Sequence, residues 1–250
     1  RKCFASATPE LFEKHLLWLR EHCELIRMCE ALQVARNVDA SGSPRVAITF
    51  DDGYADNYEY AFPLLYKYEI PATFFLTAGL VNRDPAVVER FQRLRRAPYD
   101  DIRPLTWTQV REMCQGGMDI GSHTYSHPNL ARLDGVNARE ELQRSKAIIE
   151  ESIGQAVTAV AYPFGKPRRH FTAVTMKIAA DLGYQNGAAV AFRAVKAQDN
   201  PLALPRFFVT RDDLPTLQAK INGAWDILGL WQEKAPLWLA RLVSPADFRV

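Results

Sequence analysis

Cysteine is scarce in this chain of 250 residues. Four stand at positions 3, 23, 29 and 114, with no Cys-x-x-Cys pair and no histidines at zinc-finger spacing from them. That excludes a disulfide framework and a zinc-ribbon module. The spacings predict buried or half-buried thiols, and a Cys23–Cys29 bridge has only closeness in sequence behind it. An excess of one charge is missing too. Lys and Arg number 31 against 29 Asp and Glu, a formal net charge of +2, so the chain carries no electrostatic footprint for nucleic acid. No uninterrupted apolar run approaches the ~18 residues of a spanning helix. The opening residues match no signal-peptide pattern, and a start at Arg1 leaves the compartment open. What is present is an ordinary globular balance, 48% hydrophobic, 24% charged and 11% aromatic. Disorder, collagen-like repeats and coiled-coil rods do not have that composition. A core of this size needs no disulfide or structural metal, and an α/β barrel typically uses about 250 residues.

Short apolar runs alternate with helical periodicity along the chain. Residues 9–34 read as helical, followed by a breaker cluster at 39–44. Val46-Ala-Ile-Thr-Phe50 reads as a buried strand stopping at Asp51-Asp52-Gly53. Helices are expected at 56–69, at 106–114 with Thr106 as N-cap, at 137–152 and at 170–182. Strands are expected at 71–77, 118–121, 158–162, 187–192 and 203–209. In the helix at 137–152, Leu142, Ala147, Ile149 and Ile153 are expected to face inward, and Glu140, Glu141, Arg144 and Glu150 to face water. Residues 82–104, rich in Arg, Asp and Pro, read as a long excursion. Strand–helix alternation implies a parallel sheet, whose strand ends share one face and carry the chemistry. No linker interrupts the chain, so one domain over 1–250 is expected. Its motif-bearing core runs from about residue 45 to 210, and a helical extension from about 215 to 250.

Three strand ends carry the chemical signal. Adjacent carboxylates at Asp51-Asp52 repel each other unless a cation or a shared proton compensates, although a capped turn would also use them. His123 and His127, two of only five histidines, are spaced so that one turn or tight loop aims both imidazoles at one point. A carboxylate with two neutral imidazoles leaves open positions for water and substrate, the arrangement of a catalytic metal site. Tyr162-Pro163-Phe164-Gly165 ends a further strand, and Arg206 stands at the start of a late one.

Ile48-Thr-Phe-Asp51-Asp52-Gly53, Ser122-His123-Thr-Tyr-Ser-His127-Pro128 and Ala161-Tyr162-Pro163-Phe164-Gly165 resemble, in order and separation, the successive motifs of the polysaccharide deacetylase (NodB-homology, carbohydrate esterase family 4) family, in a subgroup with Tyr-Pro-Phe-Gly. The resemblance implies a distorted (β/α) barrel, a divalent metal with zinc foremost, and removal of acetyl groups from N-acetylated sugars. It makes Asp51 the general base and Asp52, His123 and His127 the metal ligands, and gives Tyr162 an oxyanion-binding backbone N–H. The family's third motif usually begins with an Arg that orients the base. Here Thr158-Ala-Val-Ala stands in its place, and Arg206 is the expected substitute. The family's late His, which protonates the leaving amine, has no match. Asp51 itself, with His170 a weaker candidate, is left for that step.

Other readings use the same residues. A metal-independent amidohydrolase of the superfamily, a non-catalytic carbohydrate-binding relative and a phosphoesterase are the alternatives, the last disfavoured by the lack of a second carboxylate-rich motif. Tyr54, Tyr58, Trp107, Tyr125 and Phe164 lie beside the motifs and could stack on sugar or fill the core. Members of this subgroup often carry a strand with Tyr-His before the first helix, so the barrel is expected to lack or improvise one strand at its amino-terminal side. Ile221, Trp225, Leu228 and Trp231, then Leu237, Trp238 and Leu242, recur at helical spacing. A helix packed back on the barrel and a face for a partner or a membrane surface both fit that pattern.

Overall fold

The computed structural model describes residues 7–37, 42–95 and 102–226. A short parallel pair, β1 (Glu24–Leu25) and β2 (Arg45–Val46), leads into β3 (Ile48–Phe50). Five further strands follow: β4 (Ala72–Leu76), β5 (Asp119–Ser122), β6 (Ala159–Ala161), β7 (Asn186–Val190) and β8 (Leu204–Arg206). β3 to β8 lie side by side in chain order, every pair parallel, in one curled sheet. This is the expected α/β class, a distorted (β/α) half-barrel. Parallel pairing in sequence order brings all the strand carboxyl ends to one rim. The sheet is open among the described residues, with β3 and β8 at its edges.

Both faces of the sheet are covered, which is why its strands are apolar runs and not alternating ones. Phe74, Val160 and Ala189 face the helices. They share a core with Leu142 and Ile149 of α7 (Gly135–Ile153) and Ile178 and Ala179 of α8 (Ala173–Asp181). The intervening residues Phe75, Ala161 and Ala188, with Leu204, gather on the concave face around Met28 and Leu32.

Several boundaries differ from expectation, each for a physical reason. The helical run at 9–34 breaks at Cys23. α1 (Pro9–His22) ends there, β1 pairs with β2, and a 3-10 turn at Met28–Glu30 leads into α2 (Ala31–Arg36). Pairing of Glu24–Leu25 and burial of Met28 and Leu32 on the concave face outweigh local helix preference. The stretch at 56–69 is a π turn at Asn57–Ala61 followed by α3 (Phe62–Lys67). The excursion at 82–104 contains α5 (Pro85–Arg95), behind the short α4 (Ala78–Val81). Proline at the first position and an Asp84 carboxylate accepting from the Ala86 and Val87 amides start α5. Val87, Val88 and Phe91 bury its inner face. α6 (Trp107–Gln115) follows the predicted Thr106 cap. On α7, Ala147 is exposed and Ser145 is buried in its stead, bonded to Ser122 Oγ at 2.9 Å. Cys23, Cys29 and Cys114 are free thiols, so the Cys23–Cys29 bridge does not form; Cys23 and Cys114 are half-buried as expected, but Cys29 is exposed. α9 (Leu214–Ile221) starts the carboxy-terminal stretch, and the expected helical face from Leu228 onward lies outside the described residues. No described helix is long and apolar enough to cross a membrane.

The segment after β7 is pinned by a buried ion pair. Arg193 holds Asp199 through two bonds of 2.7 and 2.8 Å, and the Lys196 amide adds a third. Burial pushes the Asp199 carboxyl up, but the hydrogen bonds from Arg193 and Lys196 outweigh it and leave its pKa below the ordinary value. A depressed folded pKa gives stability above the unfolded value of about 3.9 that is lost as pH falls through the folded one. Urea denaturation from pH 7 to pH 2 should therefore show Asp199→Asn less stable than wild type at neutral pH. The gap should close below about pH 4.

Candidate active site

The first motif turns sharply where β3 ends. Neighbouring residues on an extended strand point to opposite faces, yet both aspartates reach one centre. Asp52 adopts φ 74 and Gly53 φ 88, a left-handed pair unusual for an aspartate. Thr77 N–H to Asp52 O (3.2 Å) and Leu105 N–H to Gly53 O (2.9 Å) hold the turn. As a result Asp51 Oδ2 lies 4.0 Å and Asp52 Oδ1 3.6 Å from the same atom, His123 Nε2.

The second motif is a strained loop after β5. Thr124 (φ 65) and His127 (φ 58) are both left-handed. His127 N–H donates to Thr124 Oγ1 at 3.0 Å, and the Ala78 and Gly79 amides of α4 donate to the carbonyls of Thr124 and Tyr125 at 3.2 and 2.9 Å. A Cβ on Gly79 would sit 2.7 Å from Tyr125 O, so only glycine allows this approach.

The loop folds both imidazoles onto Asp52. His127 Nε2 is 3.5 Å from Asp52 Oδ1, and ligand atoms of Asp52, His123 and His127 all lie within 4.8 Å of one another. All three side chains are buried. Donors about 2.0–2.1 Å from a tetrahedral ion stand about 3.3 Å apart, close to the 3.6 and 3.5 Å between Asp52 Oδ1 and the two imidazoles. His123 Nδ1 lies 2.7 Å from Ala161 O; donating there leaves Nε2 with its lone pair toward the centre. One carboxylate and two neutral imidazoles thus fit a divalent ion with open positions.

Arg206 completes the centre from β8. Its Nη1 and Nη2 grip Asp51 Oδ1 and Oδ2 at 2.8 and 2.7 Å, and Nη1 also reaches Thr49 Oγ1 at 2.9 Å. Burial raises the Asp51 carboxyl; the charge and hydrogen bonds of the Arg206 guanidinium outweigh it and hold the pKa below the usual range.

A family profile for polysaccharide deacetylase matches residues 39–187. The chain belongs to the polysaccharide deacetylase family. It is a carbohydrate deacetylase, and N-deacetylases of this kind hydrolyse amide bonds in sugars. The putative polysaccharide deacetylase YxkH of Bacillus subtilis is 30% identical over 86% of this chain and 68% of its own length. A poly-beta-1,6-N-acetyl-D-glucosamine N-deacetylase of Staphylococcus aureus is 24% identical over 87% of this chain and 72% of its own. In space, the Streptococcus pyogenes deacetylase PplD, solved in complex with acetate, matches at a TM-score of 0.73 and 26% identity, covering 88% of this chain and 89% of that one. IcaB from Ammonifex degensii shares the fold at a TM-score of 0.66 and 24% identity, with 86% and 89% covered.

Within this deacetylase the remaining expected residues fall out unevenly. The Tyr162 ring is fully buried against Phe171, so only its backbone can face the rim. Its N–H donates to Ala188 O over a long 3.4 Å. His170 is separated from His127 by the Phe164 ring, whose centroid is 4.8 Å from one imidazole and 5.3 Å from the other. Burial first, joined by the cationic Arg169, Lys166 and Arg132 and opposed by a hydrogen bond to the Phe164 backbone, pushes His170 down to about 4, so at neutral pH it is a neutral imidazole and not the imidazolium that an acid catalyst needs. Tyr125 is buried, its hydroxyl donating to Asp84 and its ring under Arg144, out of reach of a sugar. Tyr58 bonds Glu112, Tyr54 packs on Phe91, and half-buried Trp107 donates to Asn82 Oδ1 at 2.7 Å.

Two supporting residues carry no sequence signal of their own. Phe91, on the unexpected α5, lies 5.3 Å from the His127 ring. Glu141, expected to face water, accepts from the Tyr125 and Ser126 amides at 3.0 and 2.8 Å and from Ser126 Oγ at 2.6 Å. It braces the loop bearing both histidines. Glu141→Ala should weaken the binding of a divalent ion offered to Asp52, His123 and His127 about 10- to 100-fold by titration calorimetry, the usual effect of removing support behind such donors. Glu141→Gln, which keeps one acceptor, should lie between.

Proposed function

We propose that this deacetylase uses a divalent ion, zinc foremost, held by Asp52, His123 and His127, to remove acetyl groups from N-acetylated sugars of a polysaccharide. The supporting observation is the convergence of those three buried donors beside a carboxylate already gripped by an arginine. An ion there would polarise the amide carbonyl and lower the pKa of a water from 15.7 toward ~7.

The chain's own residues do the rest. Asp51 is kept ionised and aimed by Arg206, ready to take the proton of the attacking water. Arg206 is the positioning residue that takes over from the arginine missing before the third motif. Asp52 is committed to the ion, so two adjacent carboxylates have different tasks. The Tyr162 amide is the donor offered to the developing oxyanion, its bond to Ala188 being long enough to yield. With His170 neutral, Asp51 returns its proton to the leaving amine.

Acetate release from N-acetylglucosamine oligomers tests the reading. Asp51→Asn should bind zinc as wild type does while kcat falls about 10²- to 10⁴-fold. Undiminished turnover in that variant removes Asp51 from the role. Exhaustive chelation should abolish acetate release, and added zinc should restore it. Full activity without metal would favour the metal-independent amidohydrolase.

A further inference from the structure

Beyond the metal centre, the loops after β5 and β6 carry a cluster of like charge. Lys166, Arg168 and Arg169 follow the third motif directly, and Arg132 closes a 3-10 turn at Leu130–Arg132. The turn is tightly built. Arg168 is left-handed (φ 65), its N–H donates to Phe171 O at 2.8 Å, and His170 N–H donates to Lys166 O at 2.9 Å. Lys166 N–H donates to His170 Nδ1 at 3.1 Å. The two loops are laced together by Ala131 N–H to His170 O (2.9 Å) and Asn129 Nδ2 to Arg169 O (3.3 Å).

Arg132, Arg168 and Arg169 are exposed, and Lys166 is half-buried. Among the described residues, neither Arg132 nor Arg169 has a carboxylate within ion-pair distance. All of the charges acting on His170 are cationic: Arg169, Lys166 and Arg132 add to burial in depressing it. Two arginine charges without a carboxylate partner, held on laced loops, repel each other, and an anion relieves that repulsion. The place is informative, because a single ring, Phe164, separates His170 from the metal ligand His127.

We infer that this cationic rim, carried by Arg132 and Arg169, is a subsite for an anionic substituent on the glycan, a carboxylate or a phosphate near the sugar being deacetylated. The inference rests on the deacetylase reading above and narrows its substrate class to acidic glycans. Guanidinium forks suit both anions, and an exposed rim makes the attraction sensitive to salt.

Three N-acetylglucosamine oligomers of equal length test it: one neutral, one bearing a carboxylate and one bearing a phosphate monoester next to the N-acetylated unit. The zinc-loaded enzyme should show about tenfold higher kcat/KM on at least one anionic oligomer than on the neutral one, mostly through KM, with the advantage shrinking as salt rises. Comparison of the carboxylate and phosphate arms identifies the anion. In R132A/R169A the ratio of anionic to neutral kcat/KM should fall about tenfold, whereas R132K/R169K should keep most of it. Equal kcat/KM on all three oligomers, or a ratio unmoved by R132A/R169A, overturns the subsite and leaves the deacetylase reading standing. Acetate release from none of them with zinc bound overturns the deacetylase reading instead. Titration calorimetry with the same oligomers then decides the subsite. Tighter binding of an anionic oligomer to wild type than to R132A/R169A supports it, and equal binding overturns it.

Discussion

The pair formed by Arg206 and Asp51 links the fold to the site. β3 and β8 are the edges of an open sheet, and no described backbone bond joins them. The Arg206 guanidinium crosses that gap to Thr49 and Asp51, two bonds to the carboxylate and one to the hydroxyl. A half-buried charge on the concave face needs a partner of good geometry to offset desolvation, and the bidentate fork supplies it. The contact that draws the sheet's edges together also sets the direction of one carboxylate and keeps it ionised.

Strain gathers at the same rim. Asp52, Thr124, His127 and Phe164, all left-handed and none of them glycine, belong to the turns after β3, β5 and β6. Each such residue costs about 1–3 kcal/mol and persists only where its surroundings over-determine it. Here the surroundings do. α4 offers two amides to the histidine loop, Glu141 accepts two from it, and Thr77 and Leu105 tie down the aspartate turn. The left-handed turns let adjacent or closely spaced side chains reach one point where a regular strand would splay them apart.

Much of this was legible beforehand because it is local. Strands such as Ala72–Leu76 show as short apolar runs, and Asp51, Asp52, His123 and His127 sit at fixed offsets from strand ends. What escaped depends on distance. Arg206 lies 155 positions from Asp51, and its role was suggested by a family resemblance and not by its own surroundings in the chain. α5 was hidden because Val87, Val88 and Phe91 make too short an apolar stripe among arginines to announce a helix. The break at Cys23 reflects pairing of Glu24 and Leu25 with Arg45 and Val46, 21 positions downstream. Glu141 on α7 looked like any solvated glutamate, since its partners are amides of a loop that exists only once the strand before it is placed.

The open seam has one more consequence. In the proposed reaction Asp51 becomes neutral for an instant in every turnover, and at that instant the guanidinium spanning β8 and β3 keeps the Thr49 hydroxyl but loses its counter-charge. Chemistry and architecture therefore share a single electron-rich group, and the cylinder's unzipped side feels each catalytic cycle as a brief slackening of its clasp.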